Sequence, residues 1–325
     1  MSYSASPPGD SEDPDVAGDL ILVLAGGRRV QVWDGGDPAG RPVLFLPGCP
    51  DSRWAAWTGQ PAARRTGVRL IAVNRPGYGA SDAGASTHVG VADDLVAVAD
   101  ALDIGGFAVL GMSVGGVYAV ACAALHPGRV RALATVSAPG EIVRMRPPYH
   151  RDGLSPEDQA DVVALATLDA DAAIERLRPG YAEFVAPLRP DDSDDAALAD
   201  RWTAASAGVD GPDHDLVASW PTWQRARAAR EALLCPEGYL RDAAAMFRPW
   251  EVDPAQVSCP TWVRHGTADV SASPRNARWL ADHLPGARLA LLQGVGHLAA
   301  LHDAWDEILG DLGGALRDWD SLTRT

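Results

Sequence analysis

The chain is predicted to fold as an α/β protein: a mostly parallel sheet flanked by helices on both faces and interrupted by one helical insertion. Three observations predict it. Short apolar runs alternate with helical stretches up to about residue 140, the alternation stops between Glu141 and Val257, and the pattern resumes at Cys259-Pro260. Strands buried on both faces read as continuous apolar runs, and strands that alternate with helices favour parallel pairing.

The elements follow in order. Leu20 to Leu24 and Arg29 to Trp33 read as an opening pair of strands joined by Ala25-Gly26-Gly27-Arg28, and Asp34-Gly35-Gly36-Asp37-Pro38 reads as a turn. Val43 to Leu46, Leu70 to Val73, Phe107 to Leu110 and Leu133 to Val136 have the unbroken apolar character of interior strands. Helical stretches lie between them, near Arg53 to Arg65, Val89 to Leu102 and Val114 to Leu125. Residues 141–257 are helical, acidic and punctuated by proline, as in Ser155-Pro156-Glu157-Asp158 and Ser219-Trp220-Pro221-Thr222-Trp223. After them come a strand from Pro260 to Gly266, a helix opened by Ser273-Pro274, a strand from Arg288 to Leu292 and a helix from Leu298 to Leu309. Domain limits follow: an acidic disordered tail over 1–19, a core over 20–140 and 258–325, and a helical segment over 141–257. No internal repeat is evident.

The chemistry concentrates at Gly111-Met112-Ser113-Val114-Gly115-Gly116, where an apolar strand runs straight into a small-residue helix. A serine on such a tight strand-to-helix turn has its hydroxyl thrust out beside the first free amides of the helix, which is the geometry of a nucleophile. A serine nucleophile needs a base and an acid to orient that base. Asp269 follows the strand that ends at His265-Gly266, and His297 closes Gly294-Val295-Gly296-His297 after the next strand. Ser113, Asp269 and His297 each stand just beyond a strand's carboxyl end, where reactive groups of open parallel sheets gather. His302 is the rival base, disfavoured because it falls within the helix rather than on the loop.

With the order Ser113, Asp269, His297 and the turn Arg75-Pro76-Gly77-Tyr78-Gly79-Ala80-Ser81-Asp82, the chain resembles the α/β-hydrolases with a cap domain, from about Leu20 to the last helix. The resemblance implies a serine hydrolase acting on a small apolar ester, lactone or thioester, with residues 141–257 as the cap. It implies an oxyanion hole made by the backbone amides of Val114 and Cys49. Family members usually carry His-Gly at the second position, whereas this chain has Pro47-Gly48-Cys49-Pro50, so the histidine that usually braces the loop is missing. Some members supply the acid from the preceding strand, which makes Glu141 the alternative to Asp269. Relatives that open epoxides or displace halide use aspartate as nucleophile. A serine alkyl ether could not be hydrolysed in that way, which leaves acyl transfer. A proline iminopeptidase-like aminopeptidase, a cyclase or lyase, and a ligand-binding protein without turnover stay open as alternatives, because fold and triad do not fix the reaction.

The predicted cap is rich in aromatics: Trp202, Trp220, Trp223 and Trp250, with Tyr149, Tyr181 and Tyr239. Most are expected to fill its own core. Trp220 and Trp223, with Trp54 and Trp57 after the oxyanion loop, are the candidates for a substrate pocket. Asp191 to Asp195 is expected to be a solvated loop.

Composition narrows the classes. With 47% hydrophobic and 22% charged residues the chain is an ordinary globular one. Net charge is −15, and Asp10, Glu12, Asp13, Asp15 and Asp19 contribute to it without any Lys or Arg before Leu20. The rest is still acidic, which argues against nucleic acid or an anionic membrane as partner and leaves a small-molecule substrate. No apolar run is long enough to span a bilayer and no secretory leader is visible, so the expected location is cytoplasmic. Cys49, Cys122, Cys235 and Cys259 are scattered and read as reduced thiols, and no Cys/His cluster has metal-ligand spacing. Neither a metal nor a cofactor is called for. Oligomeric state is not encoded in any motif.

Overall fold

In a computed structural model, residues 18–146, 155–186 and 194–323 are described. Strands β1 (Asp19–Val23), β2 (Arg29–Gly36) and β3 (Arg41–Leu46) open the chain. Helix α1 (Gln60–Thr66), β4 (Val68–Val73), α2 (His88–Ala101), β5 (Phe107–Met112), α3 (Val114–Leu125) and β6 (Val130–Val136) follow. Among the described residues six helices then run without a strand: α4 (Pro156–Leu165), α5 (Ala170–Val185), α6 (Asp195–Ala207), α7 (His214–Ala218), α8 (Thr222–Ala228) and α9 (Pro236–Met246). The alternating pattern returns with β7 (Thr261–Gly266), α10 (Arg275–His283), β8 (Arg288–Leu292), α11 (Ala299–His302) and α12 (Trp305–Thr323).

The strands form one eight-stranded sheet in the order β1-β2-β4-β3-β5-β6-β7-β8. Pairing is parallel everywhere except on the two sides of β2. Successive residues of β3 show why its sequence is apolar throughout. Leu44 and Leu46 join α2, α3 and α10 in one core, while Val43 and Phe45 join α1 and α12 in a second core on the opposite face. The helical insertion buries two smaller clusters of its own, one around Trp202 and Trp220 and one around Tyr181 and Leu240.

Three boundaries differ from the sequence expectation. Asp19 is not in a tail: it opens β1, and its carboxylate pairs with the buried Arg53 at 2.7 Å. Residues 1–17 of the expected tail, Tyr149, and Asp191 to Ser193 of the expected acidic loop lie outside the described residues. Asp34-Gly35-Gly36 is not a turn but the end of β2, because the ladder to β4 continues to Gly36 and Arg69 of β4 pairs with Asp34 at 2.6 Å. The helix expected from Leu298 to Leu309 is broken at Asp303-Ala304, so His302 ends a short helix instead of sitting inside a long one. Among the described residues no helix is long and apolar enough to cross a membrane, and all four cysteines are free thiols.

Candidate active site

Ser113 occupies the single residue between β5 and α3, with φ 49° and ψ −128°. That left-handed conformation is costly for a residue with a side chain, about 1–3 kcal/mol, and it is held here because both flanking elements are buried. Gly115 is required by close approach, since a side chain there would collide with the carbonyls of Leu46 and Pro47 at the end of β3. The loop after β3 therefore packs directly on the serine turn. Val114 is the first residue of α3, so its amide belongs to the set that a helix start leaves without an intrahelical acceptor.

Asp269 and His297 come together across the β7 and β8 loops. Asp269 Oδ2 lies 2.7 Å from His297 Nδ1, which leaves Nε2 as the ring nitrogen facing away from the acid. Asp269 Oδ1 accepts the amides of Ser271 and Ala272, each at 2.8 Å. Burial works against the charge on Asp269. The positive potential of His297, hydrogen bonds from His265 and His297 and the Ala272 amide outweigh it, holding the carboxyl well below the usual range. No motif marks His265, yet this fully buried ring places Nε2 3.1 Å from Asp269 Oδ2 and 2.9 Å from the Ala272 carbonyl. Both partners only accept, so Nε2 carries the proton and the ring holds the same carboxylate oxygen that faces His297.

The rivals are engaged elsewhere. Glu141 accepts the Trp250 amide at 3.1 Å and pairs with Arg144 at 3.2 Å. His302 Nδ1 lies 2.6 Å from Thr58 Oγ1, which also receives the Trp305 indole N–H at 3.0 Å, and burial pushes its pKa down to about 3. Burial first, then Asp242, push the Cys49 thiol up to about 12, which favours its protonated form.

Ser113 and His297 line one cavity of about 610 Å³, with Gly48, Cys49, Val114 and residues from α5, α6 and α9 in the same wall. That volume suits a small organic ligand. No hydrogen bond joins the Ser113 hydroxyl to His297, a contact that in such pairs often tightens only around substrate. The four tryptophans expected in the pocket are not in its wall. Trp54, Trp57 and Trp223 pack edge-to-face with centroids 5.2–5.4 Å apart about Trp223, and Trp220 packs on Trp202 and His302. Trp54 is fully buried and donates its indole N–H to Glu231 at 3.1 Å. The aromatic wall is made instead by Phe184, Trp202 and Tyr239.

Two further residues act on the site from a distance. Arg75, from the Arg-Pro-Gly-Tyr turn, donates to the Pro47 carbonyl and, at 2.7 Å, to the Gly48 carbonyl. It is fully buried and paired with Asp242 of α9 at 2.6 Å. Burial opposes its charge, but Asp242 overrides that and raises its pKa. In a trans peptide the C=O and N–H point in opposite directions, so fixing the Gly48 carbonyl on Arg75 turns the Cys49 amide away from Arg75. Arg75 thus braces the loop after β3. The second residue is Asp213, a buried carboxylate just before α7 that accepts the amides of Leu298 and Ala299 at 3.1 and 3.0 Å. Gly296 leaves it room, since a side chain there would meet the Asp213 carboxylate. Nothing local in the sequence marks either contact.

A family model described as the alpha/beta hydrolase fold matches residues 41–304. A 2-hydroxy-6-oxo-2,4-heptadienoate hydrolase of Pseudomonas putida is 34% identical over 125 residues, covering 37% of this chain and 44% of that protein. A bifunctional epoxide hydrolase 2 of Sus scrofa is 32% identical over 145 residues, covering 43% of this chain and 25% of that protein. The matches thus span less than half the length of these curated relatives. An alpha/beta hydrolase fold protein from Nakamurella multipartita superposes with TM-score 0.59 at 25% identity, covering 92% of this chain and 99% of that one.

Proposed function

The chain belongs to the alpha/beta hydrolase fold family, and from that premise we propose that it is a serine hydrolase that cleaves a small, largely apolar carboxylic ester, lactone or thioester. Ser113 Oγ attacks the carbonyl carbon while His297 Nε2 takes its proton, and Asp269 stabilises the imidazolium. The carbonyl oxygen, now an oxyanion, accepts hydrogen bonds from the Val114 and Cys49 amides. Collapse expels the alkoxide or thiolate, which leaves with the proton from His297, and the acyl group stays on Ser113. Water then attacks the acyl-enzyme with His297 as base, releasing the acid and regenerating the serine. Residues 141–257 serve as the cap that closes the cavity over this centre.

The observation that carries the proposal is the Asp269–His297 pair at 2.7 Å, opening on the cavity into which the strained Ser113 turn also projects. The Arg75 contacts to the Pro47 and Gly48 carbonyls support Cys49 as the second oxyanion donor. Short-chain p-nitrophenyl esters test it. A burst of one equivalent followed by steady turnover is expected, with Ser113→Ala slower by about 10⁶-fold if the three residues act as a unit. Turnover unchanged in Ser113→Ala would contradict it. A proline anilide run alongside separates the aminopeptidase alternative, which requires the anilide to be the better substrate.

A further inference from the structure

Asp51 lies two residues beyond Cys49, lines the same cavity as Ser113 and His297, and has no part in the chemistry above. Only 9% of it is exposed. One carboxylate oxygen accepts the Ser52 amide at 2.7 Å, and among the described residues no other hydrogen bond or ion pair reaches the group. The nearest positive charge acting on it, Arg75, is committed to Asp242 and to the Pro47 and Gly48 carbonyls. Burial accordingly pushes the Asp51 carboxyl up to about 7.

The rest of the wall has the same sign. Among the described residues no arginine or lysine lines the cavity, and the other carboxylate of that wall, Asp213, is occupied by the Leu298 and Ala299 amides. Phe184, Trp202 and Tyr239 add aromatic faces, which attract cations. A buried carboxylate without a counter-ion is a costly arrangement that a cationic ligand relieves.

We propose that Asp51 is a specificity-determining residue, forming with the aromatic wall a subsite for a protonated amine carried by the substrate of this hydrolase. The assignment rests on the ester-cleaving function proposed above and refines it: the substrate has an apolar body and one ammonium group. Two residues of chain span at most about 7 Å, so that group stands a few bonds from the scissile carbonyl.

Matched esters test it at pH 7.5. On the alcohol side, 2-(dimethylamino)ethyl acetate is compared with its neutral isostere 3-methylbutyl acetate. On the acyl side, ethyl 4-(dimethylamino)butanoate is compared with ethyl 5-methylhexanoate. In at least one pair the cationic ester is expected to have a kcat/KM tenfold or more above its isostere, and Asp51→Asn or Asp51→Ser brings that ratio close to one. Calorimetric titration with N,N-dimethyl-3-phenylpropylammonium needs no turnover: binding is expected to weaken at least tenfold in either variant. Two variants are used so that a folding failure of one, read by thermal melting, leaves the other. Neutral esters cleaved with no ammonium preference, or a preference that survives both variants, overturns the Asp51 subsite alone. Four inert esters together with Asp51-dependent amine binding would sink the hydrolase function and leave the subsite standing.

Discussion

The carboxyl edge of the sheet and the helical insertion above it contribute to one cavity by different means. At the edge each reactive side chain follows its own strand by a few residues: Ser113 after β5, Asp269 after β7, His297 after β8. The insertion acts through long-range contacts, such as Asp242 on Arg75 across 167 positions and Asp213 on the Leu298 amide across 85. Local backbone geometry therefore sets where the chemistry can occur, and contacts from the insertion fix the orientation of the groups that perform it.

The strongest way to break this division is at Arg75. Arg75→Met leaves Asp242 buried without its partner and frees the Pro47 and Gly48 carbonyls. Misaimed oxyanion donors cost about 10²–10³ in kcat with KM little changed, and loss of the ion pair costs about 3–5 kcal/mol of stability. Arg75→Lys should not restore kcat, because one ammonium cannot replace the forked contacts. Steady-state kinetics beside denaturant unfolding separates the two effects, and an unaltered kcat would show that the loop holds its shape alone.

Trp54 sharpens the comparison from the other side. It joins core and insertion, with its carbonyl accepting Gln224 at 3.0 Å and its indole on Glu231. Trp54→Ala is expected to lose about 3–5 kcal/mol in unfolding free energy, while KM for neutral esters stays within about threefold. A large rise in KM without destabilisation would return Trp54 to the pocket.

Asp213→Ala removes the acceptor for two amides next to His297, each worth about 1–3 kcal/mol when left buried and unpaired. A fall in kcat of about tenfold is expected as the loop that carries His297 loosens. A purely structural role would lower stability and leave kcat of the folded enzyme in place.

The last effect, slight at neutral pH, is the pH dependence of stability carried by His302. His302, with its folded pKa lowered to about 3, stays neutral in the native state while the unfolded chain takes up a proton below about pH 6.5. Stability contributed by the neutral ring is therefore complete above pH 6.5 and falls as pH drops toward 3, by at most about 1.4 kcal/mol per unit. Urea unfolding across that window should show the slope, and His302→Gln should flatten it.

What could be read from the sequence follows the same division. The span of α3 and the places of Ser113, Asp269 and His297 beyond their strands are legible because strand, turn and helix follow one another directly. Arg75 was visible as part of a motif, but its partner Asp242 was one acid among many in an acidic insertion. Trp54 and Trp223 read as pocket walls in the sequence because burial in a core and exposure to a cavity call for the same apolar rings. Trp202 and Phe184 line the cavity because of how α5 and α6 pack, which no local pattern specifies. Asp19 was assigned to a tail from its charge, whereas Arg53 draws it into the sheet edge.

The central claim is that Ser113, Asp269 and His297 work as one unit at the carboxyl edge. Fluorophosphonate labelling with peptide mapping tests it most directly. One adduct on the Ser113 hydroxyl is expected, formed rapidly in the native protein and at least about 10³-fold more slowly in His297→Ala. Label on any other side chain, or equal labelling rates with and without His297, would contradict it.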